Sequence, residues 1–170
     1  MTGRARVFGD DINTDYIITS RRKRESLDPR VLCRYLFEEI DAQFAASVAP
    51  GDVIVAGRNF GCGSAMEVAV TAVLGAGIGV VVARSFSRTY YRNAVNNGLL
   101  PVVCDTTEIR EGDPIAVLRE PCLAVRNERT GRVLMAECLP GIMWSIIEAG
   151  GLVPYMRKNG DFVERLEKNR

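Results

Sequence analysis

The residues best suited to chemistry lie together in the stretch GRNFGCGSAMEVA, residues 57–69. Gly57, Gly61 and Gly63 would let backbone N–H groups approach a ligand, and the residues that follow predict a helix from about Ala65 to Leu74. Ser64 stands at the predicted helix start, where the positive end of the helix dipole favours an anion. Ser64 to Glu67 also spell S-x-x-E, a capping box in which the serine caps and the glutamate reaches back. The two roles can coexist, because an exposed cap hydroxyl can also meet a ligand. Cys62 is either a thiol activated by the helix end or a small structural residue. A phosphate-binding P-loop needs Gly-Lys-Ser/Thr, and this stretch has no lysine. A dinucleotide fingerprint is met only in part by Gly61-Cys62-Gly63, with Met66 where the third glycine belongs. Arg84-Ser85, after the next predicted strand, could receive a 2′-phosphate and keeps a nucleotide-binding module open.

Composition narrows the chemistry. The 170 residues contain no histidine, which excludes Ser-His-Asp triads, Cys-His pairs and HExxH zinc sites within this chain. Lys plus Arg is 22 and Asp plus Glu is 21, a net charge of +1 that argues against nucleic acid as partner. The basic run Arg21, Arg22, Lys23, Arg24 reads by itself as a solvated mobile segment or a polyanion patch. Five cysteines, odd in number and without CxxC, suggest neither a disulfide framework nor a zinc ribbon, and three thiolates for an iron–sulfur cluster lack local ligand spacing. They fit small buried residues in a reducing cytoplasm. The N-terminus lacks the apolar core of a signal peptide, and no stretch approaches a membrane span, so no membrane partner is expected.

The elements that must position the loop can be read from periodicity. Arg4–Val7 predicts a strand, and GDDINTD after it is turn chemistry. Asp28-Pro29 opens a predicted helix through about Glu39. Strands are predicted at Asp52–Ala56, Ile78–Ala83 and Leu99–Cys104, with helices between them, the second over Phe86–Asn97 and ending at Gly98. That alternation implies right-handed crossovers and a parallel sheet. Three further strands, Ile115–Leu118, Leu123–Asn127 and Arg132–Ala136, read as antiparallel, with turns at Glu120-Pro121 and Thr130-Gly131. Pro140 opens a last helix, Gly141–Ala149, stopped by Gly150-Gly151. The fold class is α/β, a parallel sheet core with an added antiparallel section, in one domain over residues 1–160 with a charged tail at 161–170.

GDDINTDYII, GDVIVAGRNFGCGS, VVVARSFSRTYYRNAVNNGLLPV and PGIMWSIIEAGGLVPY occur in that order. Together they resemble the small subunit of 3-isopropylmalate dehydratase (isopropylmalate isomerase), in the aconitase superfamily, over roughly residues 4–157. The resemblance implies an aconitase-type swivelling β/β/α domain that docks on a separate large subunit. That subunit carries a [4Fe-4S] cluster, and none is bound by this chain. The implied reaction is dehydration and isomerisation of a small 2-hydroxy dicarboxylic acid, in leucine biosynthesis for isopropylmalate. The cluster is a Lewis acid toward the departing hydroxyl, and the loop serine, here Ser64, is the base. Asp15 of INTD matches an aspartate that orients partner side chains. Arg21 matches an arginine that holds substrate, in a loop usually written PARYL; here the loop reads TSRRK, so Arg22 and Lys23 replace its Tyr and Leu. Given the resemblance, this segment becomes a substrate-selecting loop that orders on docking.

The family's glycine loop continues Gly-Ser-Ser-Arg-Glu-His, whereas this chain has Gly63, Ser64, Ala65, Met66, Glu67 and Val68. The missing arginine grips a substrate carboxylate, and losing such a buried contact costs on the order of 2–5 kcal/mol. Three readings follow. The chain serves an active enzyme for isopropylmalate or a related diacid such as citramalate, dimethylmalate or homoaconitate, with Arg21, Arg22 or Lys23 holding the carboxylate and Met66 facing an alkyl substituent. It is a regulatory subunit that docks without turnover. Or it is the nucleotide-binding module, with no large subunit.

Overall fold

The computed structural model describes residues 2–119 and 123–159. The turn predicted at Glu120-Pro121, with Cys122, and the charged tail at 161–170 lie outside the described residues.

A seven-stranded mixed sheet organises the chain, in the order β4-β3-β2-β1-β5-β6-β7. Its members are β1 (Thr2–Val7), β2 (Val53–Ala56), β3 (Val80–Ala83), β4 (Leu100–Val103), β5 (Pro114–Leu118), β6 (Ala124–Asn127) and β7 (Val133–Met135). The first four run parallel, and β5 to β7 are antiparallel, as the alternation of elements predicts. Strand β1 belongs to both halves: Ala5–Val7 pair in parallel with β2, while Thr2–Arg4 pair antiparallel with β5.

Strands β2 and β3 are buried throughout because both sheet faces are covered. Ile54, Ala56, Val81 and Ala83 enter one core cluster. Val53, Val55, Val80 and Val82, pointing the other way by the period of two, enter a second with β5 and β6 residues. The first core is closed by helices α1 (Thr14–Ile17), α3 (Pro29–Leu32), α4 (Phe44–Ser47) and α5 (Val68–Gly75) with their connections, while α2 (Ser20–Glu25) buries no residue. Helices α6 (Arg88–Asn97), α7 (Gly141–Glu148) and α8 (Leu152–Asn159) meet around Val95, Ile146 and Tyr155.

Three sequence expectations are corrected. The helix predicted from Asp28 to about Glu39 stops after α3 and a single 3₁₀ turn, Cys33–Tyr35, because Phe37 takes a left-handed φ of 55° and drives its ring into the core. Apolar spacing there served a compact turn, and Ile40 is left 46% exposed. The basic run, read as a mobile loop, is helix α2, capped by the Thr19 side chain on the Arg22 N–H. Helix α8 was not expected at all.

Where β5 meets β1, Asp113 is buried and accepts hydrogen bonds from Arg110 N at 3.0 Å, Asn127 Nδ2 at 2.6 Å and the Arg129 guanidinium. The Arg129 guanidinium holds its carboxyl well below the usual carboxylate range. A carboxylate depressed in the fold contributes stability that is present above its unfolded pKa and lost as pH falls. Denaturant melts should therefore lose stability as pH drops below about 4. Asp113→Ala should cost about 1–3 kcal/mol at neutral pH and flatten that dependence.

Candidate active site

Parallel strands end on a common edge, and the loops leaving them there are the usual place for a ligand. The INTD segment follows β1 and the glycine loop follows β2, so the topology sets them side by side. Hydrogen bonds then join them, among them Gly61 N–H to Ile12 O at 2.8 Å, Thr14 N–H to Cys62 O at 2.8 Å, Asp11 N–H to Arg58 O at 2.8 Å, and Thr14 Oγ1–H to Ser64 O at 2.9 Å. Thr14 is buried, so its hydroxyl fixes the Ser64 backbone from within.

Two glycines are required by contact as well as by conformation. Gly61 has φ +75°, and a Cβ there would lie 2.2 Å from the Tyr90 ring. Gly63 has φ +91°, and its Cβ would meet the Asn13 carboxamide at 2.4 Å. Behind the loop the rings of Phe60, Phe86 and Tyr90 pack together, Phe60 edge-on to Tyr90 at 5.1 Å. From the next crossover, Ser85 Oγ accepts from Asn59 N–H at 2.8 Å and Ser87 Oγ–H donates to Gly61 O at 2.6 Å.

The loop thus held presents Gly63, Ser64 and Ala65 at the surface. Ser64 is not a helix cap: α5 begins at Val68, its N-cap residue is Glu67, and no side chain caps it. The capping box fails because Met66 N–H closes a tight turn onto Ser64 O at 2.8 Å, keeping the chain non-helical through Met66. Consequently the Ser64 hydroxyl and the amides of Gly63, Ser64 and Ala65 have no hydrogen-bond acceptor or donor partner among the described residues. Free amides beside a hydroxyl can stabilise developing negative charge on oxygen. The late helix start also removes the basis of the dinucleotide fingerprint, whose phosphate sits on the helix end, while Gly61 is filled by Tyr90. Burial pushes the Cys62 thiol up, with Asp11 adding to it, so this cysteine is not the activated thiol that the sequence left open.

The other candidates divide. Asp15 lies in the first turn of α1 and accepts from Ser20 N at 3.0 Å and Ser20 Oγ at 2.7 Å, binding the start of α2 to INTD. Met66 is 3% exposed, in the first core, with the Ser20 hydroxyl 3.6 Å from its sulfur. It does not offer a surface to an alkyl substituent, because its side chain fills the space under the loop. Arg22 is committed to structure: it forks onto Glu38 at 2.9 Å, pairs with Glu25 at 2.9 Å and lies 3.7 Å over the Tyr35 ring. The Arg22 guanidinium in turn holds the Glu38 carboxyl below its ordinary value. The Arg21 side chain is 67% exposed, 3.4 Å from Glu25, on a cleft shared with Arg34 and Tyr35; among the described residues no hydrogen bond or ion pair joins it to the glycine loop. Lys23 is exposed and has no ion-pair partner among the described residues. Sequence reasoning missed Asn13, Thr14, Ser20 and Ser87, whose only signal was their polar type in turns, and it read Ser85 as a phosphate contact rather than a support of the loop.

Comparison with known proteins places this geometry. The Aconitase C-terminal domain family matches residues 21–107. A 3-isopropylmalate dehydratase small subunit from Methanopyrus kandleri is 50% identical over 161 residues, covering 93% of each chain. The methanogen homoaconitase small subunit of Methanocaldococcus jannaschii is 43% identical over 157 residues, 92% of this chain and 91% of that one. The same organism's isopropylmalate/citramalate isomerase small subunit is 42% identical over 158 residues, 92% of this chain and 93% of that one. A crystal structure of 3-isopropylmalate dehydratase from that organism superposes with TM-score 0.89 at 40% identity, covering 98% of both chains.

The burial of Met66 makes a prediction. Met66→Arg should place a charge in the core and lower stability by about 3 kcal/mol or more in thermal or denaturant unfolding. Ala65→Ser, on the exposed loop, should stay within about 0.5 kcal/mol of the parent. With strand order, loop and co-linear motifs in agreement, the chain belongs to the 3-isopropylmalate dehydratase small-subunit family, built on the aconitase C-terminal domain.

Proposed function

We propose that this chain is the small subunit of a two-subunit hydro-lyase that dehydrates and rehydrates a small 2-hydroxy dicarboxylic acid, with 3-isopropylmalate the first candidate. The observation carrying the reading is 50% identity, over 93% of both chains, to a subunit named for that reaction. Relatives named for homoaconitase and for isopropylmalate/citramalate isomerization stand at 43% and 42%, which favours a related diacid as the second reading. The partner is a cluster-bearing large subunit. Among the described residues no three His, Cys, Asp or Glu side chains are grouped to hold a metal ion, which supports placing the cluster on the partner. The cluster on the large subunit would supply the Lewis acid for the departing hydroxyl.

This chain's part is the proton. Ser64 Oγ is the base that takes it from the carbon next to the hydroxyl-bearing one, and the free amides of Gly63, Ser64 and Ala65 stabilise the alkoxide that such a base requires. Asp15 acts through Ser20, fixing the start of α2 beside the loop. Arg21 and Lys23, exposed on α2, are the cations available to a substrate carboxylate, whereas Arg22 positions their helix. The complex works in the cytoplasm, a reading supported by free thiols at Cys33, Cys62, Cys104 and Cys138 and by the lack, among the described residues, of a helix able to span a membrane.

Reconstituted with its large subunit, the Ser64→Ala variant should lose about 10²–10⁴ in kcat, because the base is gone. Its melting temperature should not change, since the hydroxyl has no partner to lose. Full turnover in that variant would remove Ser64 from the mechanism. A panel of 3-isopropylmalate, citramalate, dimethylmalate and homoaconitate decides the substrate by kcat/KM.

A further inference from the structure

A second concave site lies beside the first on the edge where the parallel strands end. A cleft of about 550 Å³ opens between the turn after β3 and the first turns of α6, lined by Arg84, Phe86, Arg88, Tyr91 and Arg92, with Glu137 as its one acid. Its size is that of a small-molecule pocket. Arg88 and Arg92 are one helical turn apart and project from the same face of α6. Neither has an ion-pair partner among the described residues. Their placement is electrostatically unfavourable as it stands. Like charges one turn apart repel, both lie in the positive half of the helix dipole, and no acidic residue occupies the first turn of α6. Arg84 reaches Asp10 with one terminal nitrogen at 2.6 Å, yet its Nε is buried without an acceptor. Phe86 and Tyr91, edge to face at 5.9 Å, add apolar wall.

We propose that this cleft is a second anion site, distinct from the Ser64 loop, that takes a small carboxylate or phosphate anion between Arg88 and Arg92 with its carbon skeleton against Phe86 and Tyr91. A guanidinium pair is suited to a planar or tetrahedral oxyanion, which would also relieve the repulsion between them. The site is coupled mechanically to the first. Arg84 N–H donates to Gly57 O at 3.0 Å, Phe60 N–H to Ser85 O at 3.0 Å and Ser87 N–H to Phe60 O at 2.9 Å, so one wall of the cleft is the strut of the glycine loop. An anion seated here would bias the loop that carries Ser64.

The test titrates the full chain with citrate and, separately, with inorganic phosphate at fixed ionic strength, following amide NMR shifts. Saturable binding should move the amides of Arg88, Tyr91 and Arg92, and through the strut those of Asn59 and Gly61. The exposed double variant Arg88→Gln/Arg92→Gln, and Arg92→Gln alone, should weaken binding, the double by about tenfold or more. Ser64→Ala and Arg21→Gln should leave it unchanged. The tighter of the two probes identifies the anion as carboxylate or phosphate. Binding that survives the double variant, or that is lost in Arg21→Gln instead, overturns the proposal. So does failure of both anions to bind while the double variant weakens assembly with the large subunit, which would make the cleft a docking surface. Because the readout is binding by this chain alone, it stands or falls separately from turnover at Ser64.

Discussion

The buried hydroxyl of Thr14, donating to the carbonyl of Ser64, is the contact on which the site depends. It is one of a short set of hydrogen bonds that tie the segment after β1 to the segment after β2. Without that tie, a loop containing Gly57, Gly61 and Gly63 would be free to sample many conformations, and its ordering would cost entropy at each turnover. With it, Gly63 is pressed against Asn13 and the exposed tip is held from below. The carbonyl partner also matters electrostatically. Thr14 and Met66 both donate to the Ser64 carbonyl, while the amides of Gly63, Ser64 and Ala65 have no partner among the described residues. Unpartnered donors beside an exposed hydroxyl suit an anion.

The sheet explains why such a tie is possible. Strand β1 pairs with the parallel half through Ala5–Val7 and with the antiparallel half through Thr2–Arg4. Everything that leaves its C-terminal end is therefore referenced to both halves at once. Asp113 secures the junction from the antiparallel side, and the alternating valines of β2 and β3 secure it from above and below. Burying a single such valine is worth about 1.5–3 kcal/mol, so these strands anchor the scaffold beneath the loop.

Arginine is used in two ways around this edge. Arg22 and Arg129 are locked into carboxylates and ring faces and serve architecture. Arg21, Arg88 and Arg92 are exposed, and neither Arg88 nor Arg92 has an ion-pair partner among the described residues. Sequence spacing does not separate the two groups, since Arg21 and Arg22 are neighbours. Only the position of Glu38, sixteen residues further on, assigns them to different roles.

The alternation of strands and helices, the break between parallel and antiparallel halves and the helix that ends at Gly98 were legible in the sequence. They rest on short-range periodicity, turn residues and motif order, which a chain carries locally. What the sequence misassigned had a common physical cause, competition from contacts distant along the chain. Ser64 looked like a helix cap by spacing, but the carbonyl contact from Thr14, fifty residues away, accompanies a non-helical turn there. Met66 looked like a substrate surface by its place in the motif, but the space beneath the loop is apolar and takes the side chain inward. The histidine-free composition decided from the start that any base must be another residue type. That the Ser64 residue is exposed beside unengaged amides was decided only when β1 and β2 brought their loops together.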